Sequence, residues 1–493
     1  MLYFDKLIAM KNAKAKIGIV GYGLENKQFL QWLTKVINYP EDLIIIYDQN
    51  VNTTAQINYP LSNIITGSNY LNTLLTDNCV LIIKAPGIWS LHPKLEEFRK
   101  KSGRDTIISS LTFFIEKFRN IIVGVTGTKG KTTTSSLIKH LLDKNSNKAI
   151  HYCGNTTNVS PYQFWPINDK KNIEDTIKNC IFVIELSSFQ LQDLGNTNIS
   201  PSFSVITNYY VDHLDQHNNE LEYWMAKDNI FKYQIDSDYL ITSQNAFTNF
   251  ETRKSLSKIK SKSITLSTEE CKKISLQYNS PLDGAHNESN AAIAILASNI
   301  ILAKERKTIK INDLKDFPTP KGRLEKVSAY TINNKKIIFI NDNTATEPDA
   351  VCACLETLVN KDKLTILILG GKIKQGNYPK LVSKIKSNDS KDSPISEWME
   401  RGVYLKSSNL AVVACGQVGS LIRDNLCYAD VKKTYLLKNF FNRDGAKIIK
   451  DLVTESQFSQ IDVVLSPGGS SFDEYNNYLE RDKDYLTFVD FFK

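Results

Sequence analysis

The stretch that most constrains this chain is "GVTGTKGKTTTS", Gly124 to Ser135, which follows an apolar run and precedes the apolar-spaced Leu137 to Leu142. A strand opening through glycines and a lysine onto a helix makes a loop whose backbone N–H groups close around an anion. The helix N-terminus adds a favourable dipole to that site. In such a cradle Gly127, Thr128, Lys129 and Gly130 supply the loop, Lys131 reaches phosphate oxygens, and Thr132 and Thr133 open the helix, with Thr132 able to face a magnesium ion. An ordinary tight turn is the competing reading, and the flanking strand and helix disfavour it. Val125 stands where GxxxxGK[ST] has its first glycine, so the string points to a variant cradle for a nucleoside triphosphate.

A chain of 493 residues exceeds what one apolar core serves, so two to three domains are expected. Hydrophobic content of 42% and charged content of 23% are ordinary for a globular protein, and no stretch approaches the roughly 20 apolar residues that cross a bilayer. The first residues carry no basic leader before an apolar segment, so the cytoplasm is the expected compartment and membrane insertion is not expected. Eight scattered cysteines without CxxC pairs read as reduced thiols. The net charge of +8 includes the run "ETRKSLSKIKSKS" at 251–263, read as a solvated loop; no aromatics are interleaved there, so no nucleic-acid partner is expected.

Along the chain, "KIGIVGYG" (16–23), "LIIIYDQN" (43–50) and "VLIIKAPGI" (80–88) are strands ending in glycine or acidic turns, the start of a Rossmann-like unit. Its fingerprint is broken, because Asn26 occupies the third glycine position. A second α/β unit begins with the phosphate loop and includes "CIFVIELSSFQ" (180–190), "FSVITNYYVDHLDQH" (203–217) and a helix over 284–302. "FPTPKGRLE" (317–325) interrupts regular structure. Beyond it, "KKIIFINDNTAT" (335–346), "LTILILGGKIKQG" (364–376) and "IDVVLSPGGSSFDEY" (461–475) are apolar strands expected in a sheet covered on both faces. The expected domains are 1–117, 118–318 and 319–493.

Glu185 ends an apolar strand, where it serves as a magnesium ligand or as a surface strand end. His213 lies between Asp212 and Asp215, with His217 beyond; magnesium with phosphate suits this loop better than zinc. Lys227 reads, on its residue type alone, as a solvated helix lysine.

The strings "GVTGTKGKTTT", "ELSSFQL", "DHLDQH", "YWMAKDNI", "LDGAHNESNAAIA", "GRLE", "NDNTAT", "LGGKIKQG" and "LSPGGSSFDEY" occur in the order and approximate spacing of the Mur ligases. The resemblance covers nearly the whole chain and is strongest to the branch that adds D-glutamate to UDP-N-acetylmuramoyl-L-alanine. It implies three α/β domains: a Rossmann-like UDP-sugar domain, a central P-loop ATPase-like domain and a Rossmann-like C-terminal amino-acid domain. By the same resemblance Lys131 and Thr132 hold ATP phosphates and Mg2+, Glu185 binds metal, and Lys227 is an N6-carboxylysine holding a second metal. Asn287 contacts adenine, and Arg323 and Asp342 reach the nucleotide from the third domain. Thr346, Lys374, Ser471 and Tyr478 fall where the family holds D-glutamate, His213 and Asn155 on the muramoyl side, and Asp48 near the uracil pocket. A UDP-sugar domain accounts for the broken fingerprint, since no dinucleotide needs close helix approach. The chain departs from the family pattern at Thr344, where a lysine is usual, at Tyr478, where a phenylalanine is usual, after Asn155 and around Lys374.

The implied reaction activates a carboxylate as an acyl phosphate with ATP, and the amine of the amino acid then displaces phosphate, in peptidoglycan precursor synthesis by a monomer. A sibling Mur or folate-type amide ligase with another acceptor, and a nucleotide-binding module without turnover, are the alternatives.

Overall fold

The computed structural model describes residues 2–53, 63–154, 159–165, 170–210, 216–252, 258–282, 284–318, 321–374, 376–387, 403–407, 409–425 and 434–493. It contains three sheets. The first has the order β3-β2-β1-β4-β5, from β1 (Lys16–Val20), β2 (Ile44–Asp48), β3 (Ile64–Thr66), β4 (Cys79–Lys84) and β5 (Ile107–Ile108), all parallel. The second runs β11-β10-β9-β6-β8-β7, from β6 (Ile122–Thr126), β7 (Ala149–Gly154), β8 (Cys180–Glu185), β9 (Phe203–Ile206), β10 (Tyr239–Ser243) and β11 (Lys262–Leu266), again parallel. The third runs β12-β13-β17-β14-β16-β15, from β12 (Glu325–Ile332), β13 (Lys335–Asn341), β14 (Leu364–Gly370), β15 (Val403–Ser407), β16 (Leu410–Ala414) and β17 (Gln460–Gly468). Its inner pairs are parallel, while β12 and β15 are antiparallel edges. Every residue of β14 is buried, as is all of β17 after Gln460, which is why those segments are mostly apolar without a polar alternation.

The chain clusters into two compact units, Met1–Pro281 with Ala285–Phe317 and Leu282–Gly284 with Pro318–Lys493. The first unit holds two sheets around one continuous core. Helix α1 (Tyr3–Asn12), α2 (Leu24–Lys35) and α3 (Leu111–Phe118) send Phe4, Phe29, Trp32, Phe113, Phe114 and Phe118 into an aromatic cluster with Tyr162, Trp165 and Phe182. Trp32 and Trp165 are 4.8 Å apart between ring centroids, and Phe114 meets Phe182 of β8 edge-on at 4.9 Å. Rings of this size dominate core energetics, so the first two sheets are held by shared apolar burial rather than by the chain alone. Residue 117 lies inside α3, immediately before the short turn into β6.

Polar contacts reinforce that packing. Lys84, at the end of β4, pairs with Asp193 at 2.8 Å, both side chains no more than 1% exposed, and donates to the carbonyls of Ala85 and Ile88. Glu25 accepts from Ser110 Oγ (2.7 Å) and Gln190 Nε2 (2.8 Å); burial pushes its carboxyl upward against those hydrogen bonds. Asn26 is fully buried, and its Nδ2 donates to the Gly21 carbonyl at 2.8 Å. The residue that breaks the glycine fingerprint thus fastens the first turn.

Of the basic run at 251–263, Glu251 and Thr252 close a helix and Lys262 and Ser263 begin the edge strand β11, so part of it is regular structure. Seven cysteines are free; Cys427 lies outside the described residues. Among the described residues no helix is long and apolar enough to cross a membrane.

Candidate active site

Strand β6 lies between β8 and β9 and delivers the loop 127–130 to the N-terminus of α4 (Lys131–Asn145). Gly127 has φ +147° and Gly130, the residue before the helix, φ +79°. A Cβ on Gly127 would overlap Thr207 Oγ1, and one on Gly130 would overlap Asn290 Oδ1, so both positions require glycine for conformation and for space. The loop is gripped from the end of β9: Lys129 N–H donates to Asn208 Oδ1 (2.9 Å), while Asn208 Nδ2 (3.0 Å) and Thr207 Oγ1 (2.6 Å) donate to the Lys129 carbonyl. Lys131 Nζ folds back onto the carbonyls of Gly127 (3.0 Å) and Thr128 (2.9 Å). Thr132 and Thr133 follow in the first helical turn, Thr133 buried.

Lys227 meets this loop directly. It lies on α6, written after α5 (Ser188–Leu194) as Glu220–Asp228, is 1% exposed, and donates from Nζ to the Gly127 carbonyl at 2.9 Å with its ammonium 4.7 Å from the Tyr223 ring centroid. A solvated helix lysine is therefore the wrong description. Tyr223 itself donates to Thr128 Oγ1 at 3.1 Å. Glu185 is buried at the end of β8, in register with Val125 on one side and Gly154 on the other. Asn287, on α7 (Ala285–Ala303), accepts from Asn290 Nδ2 at 3.5 Å, and Asn290 also accepts from Thr134 Oγ1 at 3.3 Å. Lys131 and Lys227 thus meet at one carbonyl of the loop, Glu185 ends the strand beside β6, and Asn287 is linked to the loop only through Asn290; Asn155 and His213 lie outside the described residues. His217 is buried, 3.1 Å from Ser188 Oγ and stacked on Phe189.

Asp48 belongs to the first sheet. It accepts from Tyr22 N–H (2.5 Å) and Asn50 N–H (2.7 Å), which places it beside the β1 turn, next to the point where the strand order reverses between β1 and β4. Open α/β sheets take ligands at such a reversal.

In the second unit Asp342, just after β13, accepts from Ser466 Oγ (2.8 Å) and Leu324 N–H (3.3 Å), the latter adjoining Arg323. Burial raises its carboxyl to about 7, against the Ser466 and Leu324 hydrogen bonds and the Arg323 charge. Lys374 Nζ lies 3.4 Å from Thr346 Oγ1 and 3.3 Å from Glu347 Oε1. The loops after β14 and β17 are joined by Lys372 and Ser470, which exchange backbone hydrogen bonds of 2.8 and 3.0 Å. Ser471, next along, is buried, and Tyr478, 43% exposed, begins α10 (Tyr478–Val489), named after α8 (Pro348–Leu358) and α9 (Tyr378–Ser387). Thr344, where a lysine was the expectation, is tied to the Gly322 carbonyl through both N–H (3.1 Å) and Oγ1 (2.8 Å).

Sequence reasoning missed Asn208, Asn290, Tyr223 and Glu347. Only Asn290 left a signal, three residues after Asn287 on one helix face.

The site is a glycine-rich strand–loop–helix turn in a parallel α/β sheet, an arrangement suited to a phosphate. Residues 125–298 match the Mur ligase middle domain. UDP-N-acetylmuramoylalanine–D-glutamate ligase of Clostridium kluyveri is 29% identical over 72% of this chain and 75% of its own, and that of Clostridium botulinum is 25% identical over 96% of each. MurF from Acinetobacter baumannii, a solved structure 14% identical, superposes with a TM-score of 0.50 over 85% of this chain and 87% of that one, a likeness of fold. The middle of the chain therefore matches a Mur ligase domain, and the whole has a three-domain α/β architecture, with Rossmann-like ends and a central ATPase-like domain.

Proposed function

We propose that this protein, by class an ATP-dependent acid–amino-acid ligase, joins D-glutamate to UDP-N-acetylmuramoyl-L-alanine through an acyl phosphate, releasing ADP and phosphate. The observation that carries the ligase reading is the convergence of Lys131 and Lys227 on the Gly127 carbonyl, in a loop whose Gly127 and Gly130 leave no room for a side chain of their own. The D-glutamate acceptor is favoured by the names of the two clostridial relatives and by the cation of Lys374.

Carboxylates are poor electrophiles, and phosphorylation gives this one a leaving group. Lys131 moves from its two carbonyls to the transferring phosphoryl group, where its charge stabilises the developing anion. Gly127 to Gly130 direct backbone N–H groups at the remaining oxygens. Among the described residues no three of His, Cys, Asp and Glu gather into a metal cluster. Magnesium suits such a site, because it is bound through one or two carboxylates plus substrate phosphates and retains water. Glu185 and the Thr132 hydroxyl would hold it, and when bound it would polarise the phosphoryl oxygens. Lys227, carbamylated by CO2, would exchange a cation for a carboxylate-like oxygen donor to a second ion. Asn287 would face adenine, with Arg323 and Asp342 on the nucleotide; Asp48, Asn155 and His213 would take the UDP-sugar, and Thr346, Lys374, Ser471 and Tyr478 the amino acid. The domain limits 1–117, 118–318 and 319–493 follow this division of labour.

Glu347 favours a second reading. Its carboxylate already engages Lys374, and Thr344 adds no cation, which weakens the case for a dicarboxylic acceptor and points to a sibling ligase with another amino acid. Phosphate release with UDP-N-acetylmuramoyl-L-alanine, ATP and a panel of D- and L-amino acids decides between them. D-Glutamate is expected to stimulate release far above every other amino acid; equal turnover with L-alanine or a diamino acid overturns the assignment.

A further inference from the structure

Arg481 is the largest fully buried side chain of the second unit, 0% exposed, on α10 one turn after Tyr478. Its Nε donates to Asn343 Oδ1 (2.5 Å), one terminal nitrogen to the Asn343 carbonyl (3.0 Å) and the other to the Gly469 carbonyl (3.1 Å). The same terminal nitrogen lies so close to Gly371 that a Cβ there would come within 3.0 Å of it. Asn343 completes the circuit by donating from Nδ2 to the Tyr478 carbonyl at 2.7 Å. A single planar cation therefore spans the ends of β13, β14 and β17. Burial pulls the guanidinium down to about 10, with the Asp473 carboxylate acting in the opposite sense.

Burying an arginine on neutral acceptors is expensive, and apolar residues of similar volume serve a core as well or better. The position of the expense is informative. Thr346 is three residues beyond Asn343, Lys374 three beyond Gly371, Ser471 two beyond Gly469, and Tyr478 three before Arg481. Thr346, Ser471 and Tyr478 thus sit within three residues of a group that Arg481 or its partner Asn343 bonds, and Lys374 within three of a glycine packed against the guanidinium.

We propose that Arg481, without touching the substrate, is the positioning residue for the amino-acid acceptor: with Asn343 it fixes the three strand-end loops and the helix start that carry Thr346, Lys374, Ser471 and Tyr478. This rests on the acceptor reading above. Lysine cannot substitute, because one ammonium does not reproduce a rigid fork reaching a side-chain amide and two carbonyls.

The test uses the full chain with whichever amino acid drives wild-type phosphate release. In Arg481→Ala the KM for that amino acid is expected to rise roughly 10- to 100-fold, as for small displacements of positioning groups. The KM for the UDP-linked substrate, and the ADP formed in a single turnover before amino acid is added, should stay unchanged. Millimolar guanidinium should recover part of the lost amino-acid affinity by occupying the vacated cavity. Arg481→Lys keeps a buried cation and provides the same readout if the alanine variant does not fold. An unchanged amino-acid KM in a folded variant overturns the proposal, as does a parallel rise of all KM values with a fall in Tm. Wild-type enzyme indifferent to D-glutamate but driven by another amino acid defeats the D-glutamate assignment alone.

Discussion

Gly127→Ala isolates the geometry of the phosphate loop. The substitution leaves charge and every donor in place, yet asks an L-residue to hold φ +147°, at a strain of roughly 1–3 kcal/mol. The new Cβ would also overlap Thr207 Oγ1, lying 3.1 Å from Thr207 Cβ and 3.2 Å from the Asn208 backbone nitrogen. Thr207 can yield only by rotating its hydroxyl away from the Lys129 carbonyl, forfeiting a 2.6 Å hydrogen bond worth about 1 kcal/mol. The expected loss is therefore about 2–4 kcal/mol. Thr207→Ala removes the overlapping oxygen, so Gly127→Ala should cost at least ~0.5 kcal/mol less on that background than on wild type. Urea unfolding followed by tryptophan fluorescence reads this directly, since Trp32, Trp89, Trp165 and Trp224 all lie in the first unit. Phosphate release should fall with the loop. A Gly127→Ala protein within ~0.5 kcal/mol of wild type, or strictly additive losses, would refute the conformation assigned to the loop.

Lys84→Met strands the buried Asp193 carboxylate and should destabilise the first unit by about 3–5 kcal/mol in the same unfolding assay, with Lys84→Met/Asp193→Leu regaining much of the loss. Asp342 is protonated more readily folded, with a pKa of about 7, than unfolded, near 3.8, so the native state binds the extra proton and its stability falls as pH rises from about 4 to 7. Asp342→Asn should flatten that decline, and at pH 8 be the more stable by at most about 4 kcal/mol, from melting curves across pH. Lys227→Ala should lose most activity and regain part of it with acetate or formate, whereas Lys227→Arg, which cannot accept CO2, should stay inactive; a fully active arginine variant would exclude a carbamate.

What could be read from the sequence was local. Strands β1, β6, β14 and β17 combine mostly apolar runs with glycine at or just beyond their ends, so the change from strand to turn is written within a few residues. Edge strands β11, β12 and β15 left no comparable trace. The eight residues of β12 alternate between intermediate and exposed positions, because one side of an edge strand has no neighbour and little there is buried. The shared core of the first two sheets was also hidden: Trp32 and Trp165 are 133 positions apart, and nothing near either announces the other. The family resemblance put Lys374 beside the amino acid, but its pairing with Glu347 depends on the approach of two loops. Asn26 looked like damage to a motif and is a buried fastener of the turn.

Lys227 shows how far tertiary placement can reverse a reading from residue type. An exposed lysine gains nothing from losing its charge, whereas a buried one suffers desolvation that rises steeply with burial. Here the ammonium is 1% exposed and shares the Gly127 carbonyl with Lys131, so two cationic side chains converge on one acceptor at 2.9 and 3.0 Å. A change at either lysine therefore bears on the hydrogen bond of the other. On the proposed reading, phosphate oxygens arriving in the loop would draw Lys131 away, and a carbamate on Lys227 would replace its Gly127 hydrogen bond with an anionic oxygen donor to a metal. Both changes would vacate the same carbonyl, so nucleotide binding and Lys227 modification should be coupled, each changing the other's affinity by the same factor. Retention of 13C-labelled carbamate, followed by NMR with and without ADP, measures that factor. Carbamate occupancy indifferent to nucleotide would show that the two lysines are not coupled through that carbonyl.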